Sequence, residues 1–358
     1  MAIAAAGLVD HVVAEGGVSG LGFLDQTAGF DIIQHLIPYS EQSTYGRVLV
    51  VGLLNTLLVA VLGIFLATIL GFLIGIGQLS ANWLVARLCA AYIEVLRNLP
   101  LLLQIFFWYF AVLRALPGPR DSLNLFDSIY VNNRGVYLPR PDAAPEFIWV
   151  VAALALGALA AIWLRLKTRD KRERTGERSD IRLAALALVA LPPLAISAIT
   201  GFPLTFSRPV LEGFNFAGGF VVIPELVALV TALSAYTATY IAEAVRAGIA
   251  GVSSGQREAA LALGLSRGQM LRLVVIPQAM RQIVPPLTSQ YLNLTKNSSL
   301  AVAIAYPDLV SVFAGTTLNQ SGHEIEVIAI TMGVYLSLSL LTSGAMNLYN
   351  ARIALTER

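Results

Sequence analysis

The chain has 358 residues, of which 56% are hydrophobic and only 13% charged, with a net charge of +2 and a mean hydropathy of +0.71. Soluble domains carry about a quarter charged residues, so this balance excludes an ordinary soluble protein and describes a chain that crosses a membrane several times. The small net charge leaves no footprint for nucleic acid, and Cys89, the only cysteine, cannot form an internal disulfide and fits a packed thiol.

Residues 1–46 hold five acidic residues, Asp10, Glu15, Asp25, Asp31 and Glu41, and no Lys or Arg. They contain no apolar run long enough to span and no basic start of the kind a secretory signal has, so this segment is expected outside the cytoplasm. Val48 to about Ile76 is the first span, since it exceeds the ~20 apolar residues a membrane helix needs. Gly63, Ala67, Gly71 and Gly75 recur every fourth residue on it as a stripe for close helix packing.

A second span is expected within Trp83 to Leu116. It carries Glu94 and Arg97 at i and i+3, able to neutralise each other on one face, followed by Pro100, which removes a backbone bond and invites a kink. A span starting near Trp83 puts the pair at membrane depth; one starting near Pro100 makes it an interfacial anchor, and both remain open here. Residues 117–146 read as an extramembrane loop, and Phe147 to about Leu164 and Leu183 to about Thr200 as the third and fourth spans. Between these lie eight basic and four acidic residues from Arg165 to Arg182, which mark the cytoplasmic side.

After a short loop with Arg208 and Glu212, a fifth span runs from about Val221 to Val245, with Glu243 and Arg246 near its end as a pathway charge or an interfacial pair. Ser253 to Pro277 then reads as a helix-turn-helix. Ser253 with Gln256 and Ser266 with Gln269 each form a capping-box pattern, and Gly264 supplies the positive φ that ends the first helix. The sixth span is expected from Pro286 to about Ala305, with Gln290, Asn293 and Asn297 on one face and Lys296 beside them. Counted from Pro286, Lys296 falls ~15 Å along the helix, near mid-membrane, where an ammonium group serves either a watery path or an interior hydrogen-bond network. A loop from Tyr306 to Glu326 and a seventh span from about Val327 to Tyr349 complete the chain. Seven alternating spans place Ser253–Pro277 inside together with the basic loop, and no Lys or Arg occurs between Lys296 and Arg352 to oppose this.

No G-x-x-x-x-G-K-[ST] phosphate cradle occurs, because none of Lys167, Lys171 and Lys296 follows a glycine. His11, His35 and His323 have no metal-ligand spacing, and no G-x-S-x-G nucleophile elbow is found. The chain reads as a conduit, with no catalytic residue and no metal site, whose energy comes from elsewhere.

Two stretches carry a resemblance. Glu258-Ala259-Ala260, three residues, Gly264, nine residues, then Val274-Val275-Ile276-Pro277 resembles the EAA loop of bacterial ABC importer permeases, with Val274 and Ile276 in place of that pattern's Ile and Leu. The run YIEVLRNLPLLLQIFFWYF from Tyr92 to Phe110 resembles the polar amino-acid branch of the same permeases, and TKNSSL at Thr295–Leu300 resembles the larger permeases of general L-amino-acid importers. Those larger permeases often carry a further span before the first one found here, which leaves a truncated or alternative start open.

The resemblance implies an all-α polytopic membrane protein of the type I ABC importer permease bundle. About seven transmembrane helices are expected, with a periplasmic N-terminus and a cytoplasmic C-terminus, in the bacterial inner membrane. It divides the chain into a periplasmic segment 1–46, core spans 47–116, an insertion 117–220 with two extra spans and a basic loop, a core 221–350 with the coupling loop 253–277, and a tail 351–358. Glu258, Ala259, Ala260, Gly264 and Leu265 would couple to an ATPase. Glu94, Arg97, Gln104, Glu243, Gln290, Asn293, Lys296 and Asn297 are candidates for the substrate pathway, since a zwitterion needs both charge signs along a dehydrated route. Implied partners are a second permease subunit making a heterodimer, two ATP-binding subunits holding ATP and Mg2+, a periplasmic amino-acid-binding protein and membrane lipid; this chain binds no cofactor itself. The competing reading is a stand-alone secondary transporter or channel for small polar solutes, which leaves the Ser253–Pro277 element without a role.

Overall fold

The computed structural model describes residues 20–175 and 181–353. Asp10, Glu15 and His11 lie outside the described residues, as do part of the basic loop and part of the tail. The chain divides into two compact units, Met1–Ala115 with Ile223–Arg358, and Leu116–Val222.

The first unit is helical. Its longest helix, α1 (Tyr45–Gln78), is capped by Thr44, whose side chain accepts from the Arg47 N–H. Gly71 and Gly75 of the α1 stripe face α6 (Pro224–Ala250): a Cβ at Gly71 would stand 2.5 Å from the Ile241 side chain, and one at Gly75 2.6 Å from the Ala242 carbonyl, while one at Gly63 would stand 3.0 Å from the Leu294 side chain. The expected second span is two helices, α2 (Trp83–Asn98) and α3 (Leu101–Phe106), the latter continuing as a π-helix over Phe107–Leu113. They meet at a bend of 106°. Pro100 forces it, because its ring drives Leu99 out of the helical region to φ −93° and ψ 134°.

Beyond α6 come α7 (Ser254–Ala262) and α8 (Arg267–Met270), a π turn over Leu271–Val275, and α9 (Ile276–Asn297), which tightens to a 3-10 helix over Ser298–Ile304. The sixth expected helix therefore begins at Ile276, ten residues before Pro286, and tolerates Pro285 and Pro286 inside it. Pro277, which has no N–H to give, sits in its first turn directly after the π turn.

The expected loop from Tyr306 to Glu326 is mostly helical and inward. A π-helix, Val310–Thr317, runs into α10 (Leu318–Ser321), and Gly322 in the left-handed region leads to α11 (Glu324–Ile353). Leu309, Val312 and Phe313 share a buried core with Tyr45, Val48 and Val51 of α1 and with Phe23, Ala28 and Ile32 of the preceding segment. Phe23 also stacks on His323 with ring centroids 4.9 Å apart.

The second unit departs from the all-helical expectation. It holds an antiparallel helix pair, α4 (Phe147–Thr175) and α5 (Arg182–Ile199), and eight short strands in the stretches expected to be loops. Strands β1 (Leu123–Leu125), β2 (Ile129–Asn132) and β3 (Gly135–Leu138) pair in order and continue to β8 (Phe220–Val222). Strand β4 (Arg140–Ala143) pairs with β5 (Leu204–Ser207), and β6 (Val210–Glu212) with β7 (Asn215–Ala217). The β-branched and aromatic runs IYVN and FVV favour strands, but at three or four residues each they are too short for alternation to announce them.

By length and composition four described helices can cross a membrane: Tyr45–Gln78, Phe147–Thr168, Pro224–Ala250 and Glu324–Asn350. The bent pair α2–α3 would make a fifth. The Leu183–Ile199 stretch is shorter, and α9 is long enough but too polar to count by this measure.

Candidate functional site

The helix-turn-helix after α6 leaves Leu261, Leu263, Leu271 and Leu273 exposed. The guanidinium of Arg257 donates to the Ile249 carbonyl at 2.8 Å, so an end of α6 that would lack an intrahelical donor is tied to α7. Val252 and Ala260 are buried beneath the turn, while Glu258 and Ala259 are exposed, and Leu263 keeps 82% of its surface open. Gly264 has φ +78°, and Leu265, half-buried, returns a backbone bond to Ala260.

At Ser266 the capping box forms, with the Gln269 side chain accepting from the Ser266 N–H at 2.9 Å. The one expected at Ser253 does not: Ser253 makes no side-chain cap, and Gln256 instead accepts from Gln278 at 3.3 Å. Its backbone N–H is taken by the Ser253 carbonyl. The second helix of the motif runs without a break through the π turn into α9.

Of the pathway candidates, the structure places Arg97 and Glu243 by one aromatic pair. Arg97 does not pair with Glu94, which is exposed on the same arm; its guanidinium lies over the Tyr240 ring, 5.0 Å from the centroid. The Tyr240 hydroxyl is 2.9 Å from that of Tyr236, and one turn on, Glu243 accepts from Arg246 Nε at 3.3 Å and from its Nη2. Gln104 has a structural job. It is buried, and its amide donates to the Leu96 and Leu99 carbonyls at 2.8 and 3.0 Å, satisfying the broken end of α2.

The polar row of α9 stands apart. Because the helix starts at Ile276, Lys296 lies at its far end and not at its middle, exposed in a groove of about 550 Å3 with Ser299, Thr331, Tyr335 and Ser339. Asn293 is exposed and Gln290 and Asn297 are half-buried. No hydrogen bond or ion pair among the described residues joins this row to Arg97 or Glu243.

Two polar groups escaped the sequence reading. Asp308 is fully buried, its carboxylate accepting from the Ser311 N–H at 2.9 Å and from the Tyr335 hydroxyl at 3.5 Å. Beside it Asn55 donates to the Gln34 and Pro307 carbonyls, each at 2.8 Å, and the Leu309 N–H donates to Thr56. The signal was present as Pro307-Asp308 ahead of an apolar run, a helix-start pattern. The other group is Tyr109, Arg114 and Glu225. The Tyr109 hydroxyl donates to Glu225 at 2.7 Å and accepts from Arg114 at 2.9 Å.

Asp308 lies in the connecting segment between α9 and α11, and burial lifts its carboxyl from the ordinary 3.8 to about 7, against the hydrogen bonds from Ser311, Val310 and Tyr335. A raised carboxyl favours the folded state below pH ~4, and that contribution fades as pH rises through 7. The thermal midpoint of the detergent-purified chain should therefore fall by a few degrees from pH 5 to pH 8, and Asp308→Asn should remove the fall. A parent midpoint independent of pH over this range would contradict it.

Among the described residues no group of three or more His, Cys, Asp or Glu is placed to hold a metal. The family described as "Binding-protein-dependent transport system inner membrane component" matches residues 181–355. The general L-amino acid transport system permease protein AapQ of Rhizobium johnstonii is 56% identical over 340 residues, 95% of this chain and 85% of that protein. The glutamate/glutamine/aspartate/asparagine transport system permease protein BztB of Rhodobacter capsulatus is 45% identical over 380 residues, 97% of this chain and 88% of that protein. A solved amino acid ABC transporter, crystallised with histidines, shares the fold with a TM-score of 0.51 at 20% identity, covering 86% of this chain and 95% of that one. A chain this similar to permease proteins over nearly its whole length, with the same helical fold, belongs to the inner-membrane permease family of binding-protein-dependent ABC transport systems.

Proposed function

We propose that the chain is one permease subunit of an importer that moves polar or general L-amino acids across the bacterial inner membrane, driven by ATP hydrolysis in partner subunits. The observation that carries this reading is the α7 turn. A short helix is tied by Arg257 to the end of α6 and joined by the Gly264 turn to α8, which runs on into α9, and among the described residues it leaves Glu258, Leu261 and Leu263 exposed. Exposed leucines on a cytoplasmic helix need a partner. An ATP-binding subunit that closes on ATP and Mg2+ would push there and rock the permease helices between outward-open and inward-open arrangements. Glu258, Ala259, Ala260, Gly264 and Leu265 are the coupling residues in this account.

Seven spans complete the arrangement when α5 and α9 are added to α1, the α2–α3 pair, α4, α6 and α11. The N-terminus then faces the periplasm and the C-terminus the cytoplasm; the packing of Phe23 on His323 supports a common side for the N-terminal segment and the α9–α11 connection. Spans 47–116 and 221–350 form the core, and 117–220 is an insertion, with 1–46 and 351–358 as flanking segments. The other partners are a second, different permease chain and a periplasmic amino-acid-binding protein. AapQ and BztB are named as amino-acid permeases at 56% and 45% identity, which supports the substrate class.

Within the pathway, Arg97 and Glu243 supply the two charge signs at the Tyr240 face, and Glu94, Gln290, Asn293, Lys296 and Asn297 flank the route, with Gln104 holding the bend. Lys296→Met should lower uptake at least tenfold without loss of membrane insertion, because the groove between α9 and α11 loses its cation; full uptake by this variant would remove Lys296 from the pathway. The identities and ratio of subunits that co-purify with the tagged chain in mild detergent test the assembly. Two ATP-binding subunits per permease pair are expected, and a chain that purifies alone in active form would overturn the reading.

A further inference from the structure

The two arms of the bent pair each bring one arginine to α6, and they do so at opposite ends. Arg97 of α2 meets Tyr240 near the end of α6 that carries Glu243. The group at the other end is Arg114, Tyr109 and Glu225, and Glu225 precedes Glu243 by eighteen residues, or ~27 Å along a helix, close to the thickness of a hydrocarbon core.

The geometry of this second group depends on the π-helix over Phe107–Leu113. In an α-helix, residues five apart point in different directions; here the Arg114 N–H bonds to the Tyr109 carbonyl at 3.0 Å, closing a five-residue turn that puts both side chains on one face. The Arg114 guanidinium then lies 5.2 Å from the Tyr109 ring centroid and donates to its hydroxyl. Tyr109 itself is buried, so the hydroxyl is fixed, and it passes its own hydrogen to Glu225. Glu225 is in the first turn of α6, where the helix end favours a carboxylate.

Arg114 and Glu225 therefore share one hydroxyl and form no direct ion pair. A cation and an anion kept from neutralising each other, both reachable from solvent, match the head of an α-amino acid. Its carboxylate can take the free fork of the guanidinium, and its ammonium can donate to the carboxylate of Glu225. We propose that Arg114, Tyr109 and Glu225 form a receiving site for the zwitterionic head of an α-amino acid, at the end of α6 opposite the Arg97–Tyr240–Glu243 group. This rests on the reading that the assembled transporter carries amino acids.

The test uses the full complex with its ATP-binding subunits, without the binding protein, in nanodiscs. Of the twenty L-amino acids, radiolabelled, the one the parent binds most tightly is competed against its α-amide, which lacks the carboxylate charge, and its N-acetyl form, which lacks the ammonium. In the parent both derivatives should compete at least tenfold more weakly than the amino acid. Arg114→Gln should bind at least tenfold more weakly and lose its discrimination against the amide alone; Glu225→Gln should lose discrimination against the N-acetyl form alone. Arg114→Lys, which keeps the charge but not the fork, should fall between parent and Arg114→Gln.

Where Arg114→Gln fails to assemble, Tyr109→Phe replaces it as the deciding variant; it leaves both charges free to pair directly and should weaken binding severalfold. Variants with parental affinity and discrimination overturn the proposal, as do variants that weaken all three compounds equally, which would make the group a structural clamp. A parent complex that binds none of the twenty and, reconstituted in liposomes with its binding protein and Mg2+-ATP, takes up none of them overturns the amino-acid reading itself, so the two failures are distinguishable.

Discussion

Gly264→Pro is expected to abolish ATP-driven uptake and association with the ATP-binding subunits while leaving the chain inserted in the membrane. Gly264 holds φ +78°, which a proline ring locked near −65° cannot adopt, and its N–H donates to the Leu261 carbonyl at 2.9 Å, a bond proline cannot make. Both losses fall on the turn that sets α7 against α8, outside the helix core, so the damage is to the docking shape. Glu258→Lys tests the surface without touching the backbone. Glu258 is exposed and makes no hydrogen bond among the described residues, so charge reversal leaves the chain folded and acts only on what docks there. A loss of ATPase co-purification of tenfold or more is expected for each. Retention of parental ATPase binding by both variants would remove α7 as the coupling element.

The second large effect lies in the membrane core. Gly71→Val should prevent folding to a monodisperse protein, because its Cβ alone would stand 2.5 Å from the Cβ and Cγ2 of Ile241 and 3.1 Å from the Ala238 carbonyl. Ile241 is fully buried and has nowhere to turn, so α1 and α6 must separate. Overpacking of a core costs ~1–3 kcal/mol even where only side chains shift, and more where two backbones must part. Gly75→Val meets the Ala242 carbonyl and Val245 and should behave alike. Gly333→Ala on α11 is the control: nothing lies within 4 Å of its Cβ position, so the substitution should be neutral or stabilise by up to ~1 kcal/mol. Size-exclusion profiles and thermal midpoints of the three variants read the difference; a stable, monodisperse Gly71→Val protein would show that α1 and α6 do not rely on this close approach.

What could be read from the sequence follows the length scale of each signal. The apolar runs that became α1, α6 and α11, the glycine stripe, and the Gly264 turn with its Ser266 cap were legible because each rests on a local pattern. Arg97 turned from Glu94 to Tyr240 because the ring arrives from a helix more than a hundred residues away, which spacing cannot announce. Lys296 moved from mid-helix to helix end once the helix proved to begin at Ile276, since Pro285 and Pro286 are accommodated within it and do not start it. The strands of the second unit are each three or four residues, below the length at which alternation is readable. Asp308 shows in the sequence only as a helix start, its burial coming from packing against α1, and the Arg114–Tyr109–Glu225 group needs both a π turn and the approach of α6.

The central claim is that this chain provides a path while the energy arrives from outside it through α7. It is tested most directly by measuring uptake of a labelled L-amino-acid mixture into liposomes. Liposomes carrying the assembled complex, with binding protein on one side and Mg2+-ATP on the other, should accumulate label only when ATP is present, and liposomes carrying the purified chain alone should accumulate none. Nucleotide-independent uptake by the single chain would contradict the account.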